Sequence, residues 1–507
     1  MWAGPFAATL AVLLARNAFL FSTPLYETAD QGADSILVEQ ARRFSLLVGI
    51  YSRDKFNHPG PAFLYVEAWG ESVFWAVLHV VPTPWNGQMI AVYMLNALWA
   101  ALAVAVGYRW IRSPRAALVA FGLVALFGAL HSPVFSSDWF PYLYVLPFFV
   151  FVLAIASVGA GAVRDLPIAA LSGWFLIHGH ACFLLFVPAL TGCAMVALAW
   201  PRRGRLRAAL RSFVTGQRRA WVPAVVISAL FLLPMLLEAA LHWPGNFGKY
   251  FGYGSSSAAG GHSTRQVIDY TLWFWWPRAN AWAAPLVLCA VAVLVTWRLP
   301  AGPVKRLCVS LLAFDAAATV VFVGYVVAGV DQINEHYIGY FYWSVPITVA
   351  GVIVLGVLEK LPPPLALTAA ALAAAAALSA FAVAPFTRIT TFYLQPGALA
   401  NGVDTDSGLP AAVARLAADA DGRPLVLHVG SGTWVDMTGI LVQSQRSGVT
   451  ACVTDPAWAY MVTSQFICTP EELAKGAQFW IYSTNLAPRG TPPVVRLART
   501  VVTARAN

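Results

Sequence analysis

Eleven apolar stretches, most of them about long enough to cross a bilayer, constrain this chain more than any other feature. They fall near 3–23, 88–108, 116–132, 140–160, 165–178 (short), 181–200, 221–241, 281–298, 307–329, 338–358 and 363–385. A helix needs about 20 apolar residues to cross the hydrocarbon core, where every backbone polar group must be satisfied internally. The expected fold is therefore a mainly α, polytopic membrane protein. With 59% hydrophobic residues and 11% charged ones, an ordinary soluble globular protein is excluded. Residues 1–23 lack a basic start and a small-x-small cleavage site, so they read as a retained first span.

Lysine and arginine set the orientation. They crowd the loops 109–115, 201–220 and 298–306, which share one side by parity, and the positive-inside rule makes that side cytoplasmic. Topology accounts for this charge without nucleic acid as a partner. The N-terminus is then cytoplasmic, and the C-terminal tail lies outside. Residues 62–82 are apolar but carry Glu67, Glu71 and His79, which are costly at the bilayer centre. Reading them as a span would also put the arginines outside. They are expected to lie along the outer surface, so the first outer loop runs over 24–87.

After Pro385 the composition turns soluble. Helices are expected near 409–420 and 434–446, with strands at 424–429, 449–453, 479–483 and 494–504. The chain thus divides into a transmembrane domain, 1–385, and a small outer α/β domain, 386–507. Cys452 and Cys468 lie close in sequence in this domain and are expected to pair in an oxidising compartment.

The stretch Glu27–Pro61 holds five acidic residues and ends in the rigid turn Asn57-His58-Pro59-Gly60-Pro61. Thr28-Ala29-Asp30-Gln31 matches a capping box, and Ile36, Leu37 and Ala41 follow at helical spacing. A helix therefore starts at about Ala29. Glu27, Asp30 and Asp34 fall near one face at its positive end, which favours ionised carboxylates. They either serve the helix start or include a general base. His58 and Lys55 are candidates for an anionic group.

Other candidates also map to the outer side. Asp138 precedes the fourth span, and His178-Gly179-His180 separates two spans. Glu335-His336 opens the tenth, and Arg16 lies near the outer end of the first. Lys249, Arg265 and Arg278 belong to the Gly- and Ser-rich loop 242–280, which reads as a lid or a linker. Carboxylates, imidazoles and cations on one membrane face suit a reaction on an anionic, lipid-linked substrate.

The order of first span, acidic loop with a D-Q-x-x-D helix start at Asp30, turn ending in His58-Pro59 and surface helix beginning Phe63-Leu64-Tyr65 resembles the GT-C superfamily. These are polyprenyl-phosphate-sugar-dependent membrane glycosyltransferases, here closest in pattern to the protein O-mannosyltransferase and lipid A aminoarabinose transferase group. The likeness covers the topology to about residue 200 and is weak beyond it. It implies Asp30 as catalytic base, Asp138 as the second-loop acid, His58 in place of a lysine, and His178-Gly179 in place of a lysine-glycine turn. Gln31 and Asp34 depart from the D-E-x-x-Y pattern, so Asp34 stays open as the base. The neutral-capable His58 leaves phosphate binding pH-dependent or reliant on other cations.

The implied activity is inverting transfer of a sugar from a polyprenyl-phosphate donor to a glycan, lipid or protein acceptor of the cell envelope. It would take place at the outer face of a bacterial inner membrane, with His58, Lys55, Lys249, Arg265 and Arg278 as phosphate ligands and Arg16 helping from below. A divalent metal is compatible with the residues but not required. The alternative is a transporter or flippase of lipid-linked sugars. That class places ionisable groups at mid-membrane between internal repeats, and no repeat is visible here.

Overall fold

The computed structural model describes residues 2–112, 114–205, 213–255, 261–275, 282–384, 406–430, 432–486 and 492–504. Helices occupy all eleven apolar segments. Among the described residues six are long and apolar enough to cross a membrane: Pro84–Trp110, Phe140–Gly159, Arg218–His242, Pro303–Gly329, His336–Leu358 and Pro363–Val383. Ala3–Arg16, Pro114–Leu130, Phe183–Ala199 and Ala283–Trp297 are shorter apolar helices, and Leu166–Gly179 has 14 residues. The first segment ends as a helix at Arg16, before the end at 23 expected from hydropathy, and continues as a short 3-10 turn, Ala18–Phe21.

The chain divides into two compact units. The first holds residues up to Arg16, Tyr93–Ser136 and the described residues from Phe140 to 384. Its interior is aromatic: Phe148, Phe183, Phe186 and Phe341 meet with ring centroids 4.9–6.1 Å apart. Small residues let two of its helices approach, with Gly122 of Pro114–Leu130 facing the Ala374 backbone of Pro363–Val383. A Cβ on Gly122 would come within 3.3 Å of the Ala374 Cα.

The second unit holds Asn17–Val92, Ser137–Trp139 and the described tail from 406 onward. The tail does not stand alone, as the composition break near 385 suggested. Its five-stranded sheet has the order β2-β1-β3-β5-β4. Strands β1 (Leu425–Val429), β2 (Ala451–Val453) and β3 (Ala477–Ser483) are parallel. Strands β4 (Val495–Arg496) and β5 (Thr500–Thr503) form an antiparallel pair, so the single strand expected over 494–504 is broken by a turn. The helices Leu409–Ala420 and Trp434–Arg446 fall where the sequence placed them. Cys452 and Cys468 are joined by a disulfide.

The helix Ala29–Arg42 enters this core. Its Ala33 and Ile36 are fully buried with Leu425, Leu427, Met437, Ile440 and Phe479. The apolar face read from helical spacing thus has a partner about 400 residues away in sequence. The helix Ala62–Gly70, continued by a π-helical segment to Val77, packs on the same Ala29–Arg42 helix. It leaves Trp69, Val77 and Leu78 exposed while Glu67 and Glu71 are buried.

Candidate active site

Asp30 lies in the first turn of the Ala29–Arg42 helix. Tyr51 donates its hydroxyl to Oδ1 of Asp30, and Trp139 donates its indole N–H to Oδ2 at 3.0 Å. The carboxylate is half-buried. Asp34, one turn further on, is only 8% exposed. Asp138 accepts the Trp85 indole N–H at 2.6 Å and the Gln31 amide at 3.3 Å. Glu67 reaches the same cluster from the Ala62–Gly70 helix and is 2% exposed.

The capping box does not form. Thr28 makes no side-chain cap bond, and the Gln31 side-chain amide N–H donates to Asp138 from a distant loop. Glu27 also leaves the predicted acidic face: it is fully buried and forms an ion pair with Arg446 at 2.7 Å.

Four carboxyls crowded into one interior oppose the ionisation that the helix dipole favours for Asp30 and Asp34. Burial pushes Asp30 up to about 6, against the lowering effect of the Tyr51 and Trp139 donors. Burial likewise pushes Asp138 up to about 6, opposed by Trp85 and Gln31. Asp34 is raised well above the carboxylate range by burial and then by repulsion from Asp30 and Asp138. Glu67 is raised in the same way, by burial and then by Asp138 and Asp34. Desolvation of a carboxylate outweighs a dipole contribution of at most about 2 kcal/mol. Oδ1 of Asp34 and Oε1 of Glu67 are buried without a hydrogen-bond partner among the described residues.

The turn before the second helix of the loop is a short hairpin. His58 N–H donates to Ile50 O, Gly49 N–H donates to His58 O, both at 2.8 Å, and Tyr51 bridges Asn57. This pairing holds Tyr51 against Asp30. The His58 ring is 5% exposed and meets Phe56 edge-on, whereas Lys55 is exposed at the hairpin tip with φ +63°.

The remaining candidates belong to the first unit. His178 donates Nε2–H to Phe231 O at 2.8 Å, and His180 Nδ1 accepts the Cys182 N–H at 3.1 Å. His336 stacks on Trp273 with centroids 4.2 Å apart, next to Glu335, whose carbonyl accepts the Tyr270 hydroxyl at 3.4 Å. Arg265 is exposed and pairs with Asp269 at 3.6 Å, and Lys249 is exposed. Arg278 lies outside the described residues. The Arg16 guanidinium donates to Phe381 O and, at 2.6 Å, to Ala384 O. It therefore serves the carbonyl end of the Pro363–Val383 helix. Among the described residues no three His, Cys, Asp or Glu side chains are grouped to hold a metal ion.

Sequence reasoning missed Tyr51, Trp85, Trp139 and Arg446 as partners of the acidic residues. Trp139 had one local signal, its place directly after Asp138; the other three had none.

No family model matches this chain, and no curated protein matches it. A similar solved structure is the crystal structure of ArnT from Cupriavidus metallidurans in the apo state, with 14% identity over 99% of this chain and 97% of that one, and a TM-score of 0.48. Residue roles in this chain therefore follow from its own geometry.

Proposed function

We propose that this protein is an inverting membrane glycosyltransferase of GT-C type. It moves a sugar from a polyprenyl-phosphate carrier to a hydroxyl of a glycan, lipid or protein of the cell envelope, at the outer face of a bacterial inner membrane. The observation that carries the reading is a reachable carboxylate, Asp30, oriented through both oxygens and backed by the more deeply buried Asp34 and Glu67. A carboxyl at about 6 is ionised at neutral pH, yet basic enough to take a proton in the transition state.

In the reaction, an acceptor hydroxyl attacks the anomeric carbon from the face opposite the phosphate, and its proton passes to Asp30. The bond between the anomeric carbon and the phosphate oxygen breaks, and the electron pair leaves on the polyprenyl phosphate. Cations stabilise that developing charge. Lys55, exposed at the hairpin tip, is the candidate for this role in the outer loop, together with His58.

The test is transfer from a radiolabelled polyprenyl-phosphate sugar by Asp30→Asn and Asp34→Asn in the full chain. Loss in Asp30→Asn with donor binding retained supports the assignment, and full activity in both variants removes it. One observation favours the transporter reading: Asp315, within the Pro303–Gly329 helix, is 3% exposed, with no hydrogen-bond partner for either oxygen among the described residues. Proton-coupled movement of lipid-linked sugar that is lost in Asp315→Asn, by a wild-type protein that shows no sugar transfer, would decide for it.

A further inference from the structure

The tail could bind an acceptor, cover the site or do neither; its contacts indicate another task. The helix Trp434–Arg446 lies against the short segment that carries Asp30. Thr438 donates its hydroxyl to Ala29 O at 2.9 Å, directly before Asp30. Ala29 has φ +52°, a left-handed backbone that is uncommon and costly for a residue with a Cβ. Two glycines make the approach feasible. A Cβ on Gly32 would come within 2.6 Å of Thr438 Oγ1, and one on Gly439 within 2.9 Å of Glu27 O. Earlier in the tail, Asp406 N–H donates to Tyr26 O at 2.9 Å.

Charge closes the end of this contact. Arg446, the last residue of the tail helix, pairs with the fully buried Glu27 at 2.7 Å and lies 3.8 Å from Glu71, which is 2% exposed. Glu71 also holds Arg42 at 2.8 Å and accepts the Gln88 amide at 2.8 Å. Leaving Glu27 buried without a cation is strongly destabilising, so Arg446 and Glu27 hold each other in place. The ring of Tyr460 meets Tyr51, the donor to Asp30, edge-on at 5.8 Å.

We infer that the tail helix is a brace that fixes the base-bearing segment Tyr26–Gly32, with Arg446 and Thr438 as positioning residues for Asp30. The catalytic half of this inference rests on the glycosyltransferase reading above; the structural half does not. A base must be held within a fraction of an ångström and about 10–20° of its productive geometry, and the tail supplies the hydrogen bond to Ala29 O directly before Asp30.

The experiment uses the full chain in detergent, with Arg446→Gln, Arg446→Lys and Thr438→Val. Arg415→Ala, which breaks an exposed pair with Asp419 in the same domain, is the control. Backbone hydrogen exchange over 26–37 reads the brace without any substrate. The expected result is roughly tenfold or more faster exchange there in Arg446→Gln and Thr438→Val, with the sheet strands unchanged. Transfer should lose roughly tenfold or more in kcat at constant donor KM. The acidic limb of the rate should move to lower pH in Thr438→Val, because a loosened Asp30 regains water. Arg446→Lys should recover part of both effects.

Unchanged exchange over 26–37 overturns the brace. Faster exchange with wild-type kcat and pH limb overturns the positioning role. Retained transfer in Asp30→Asn would sink the function reading alone, because the exchange result is read independently of it.

Discussion

Trp139 holds Oδ2 of Asp30 with its indole N–H at 3.0 Å, across 109 residues of sequence. Its neighbour Asp138 is held in turn by Trp85 at 2.6 Å. Two indoles thus orient two carboxylates whose burial works against their ionisation. The donors favour the charged forms, and burial opposes them more strongly.

The rate of transfer should rise with pH through about 6 and level off above it. In the proposed role Asp30 must be ionised to accept a proton, so protonation below that pH should remove activity. Asp30→Asn should lower kcat by about 100-fold or more and abolish the limb. A pH–rate profile of wild type and variant checks this; an identical limb in Asp30→Asn would assign the titration to another group.

Trp139→Phe and Tyr51→Phe should each move that limb to higher pH. Each removes a hydrogen bond to the charged form, worth roughly 1.5–3 kcal/mol, which corresponds to about one pH unit or more. The loss of rate should therefore be larger at about pH 6 than at about pH 8. A loss equal at both values would show that the side chains serve packing alone.

The cluster should make the second unit more stable in mild acid than in mild base. Asp30, Asp34, Asp138 and Glu67 have folded-state pKa values above their unfolded ones. The folded state then binds more protons, so stability is full below about pH 4 and declines as pH rises through the raised values. Glu67→Gln, which removes a buried charge, should raise Tm at about pH 8 by roughly 2–4 °C per kcal/mol recovered. It should do little at about pH 4. Thermal unfolding at both values tests the sign.

Reducing the Cys452–Cys468 disulfide should destabilise the tail. The bond spans a sequence separation of 16, and closing a loop of that length is worth about 3 kcal/mol. Cys452→Ser with Cys468→Ser should lower the Tm of the second unit while the helix content of the spans persists. If the tail braces Asp30, transfer should be lost at a lower temperature in this variant.

Much of the fold could be read from one dimension. The spans follow from runs of apolar residues, and the helices Leu409–Ala420 and Trp434–Arg446 follow from local period and turn chemistry. The start of the Ala29–Arg42 helix was legible too. These features depend on a residue and its near neighbours. The break between β4 and β5 was not legible, because the apolar pattern runs on through both strands.

The site was legible only in its acids. Sequence alone determined that Asp30, Asp34 and Asp138 belong to loops next to apolar spans, and that Ile36 needed an apolar partner. Tertiary structure decided the rest. It gave Gln31 to Asp138 in place of a cap, paired Glu27 with Arg446, and put the tail's core over Ala33 and Ile36. It also decided the charge of the site. Ionisation of a carboxyl depends on how much water and which charges surround it, and both are set by segments that sequence keeps far apart.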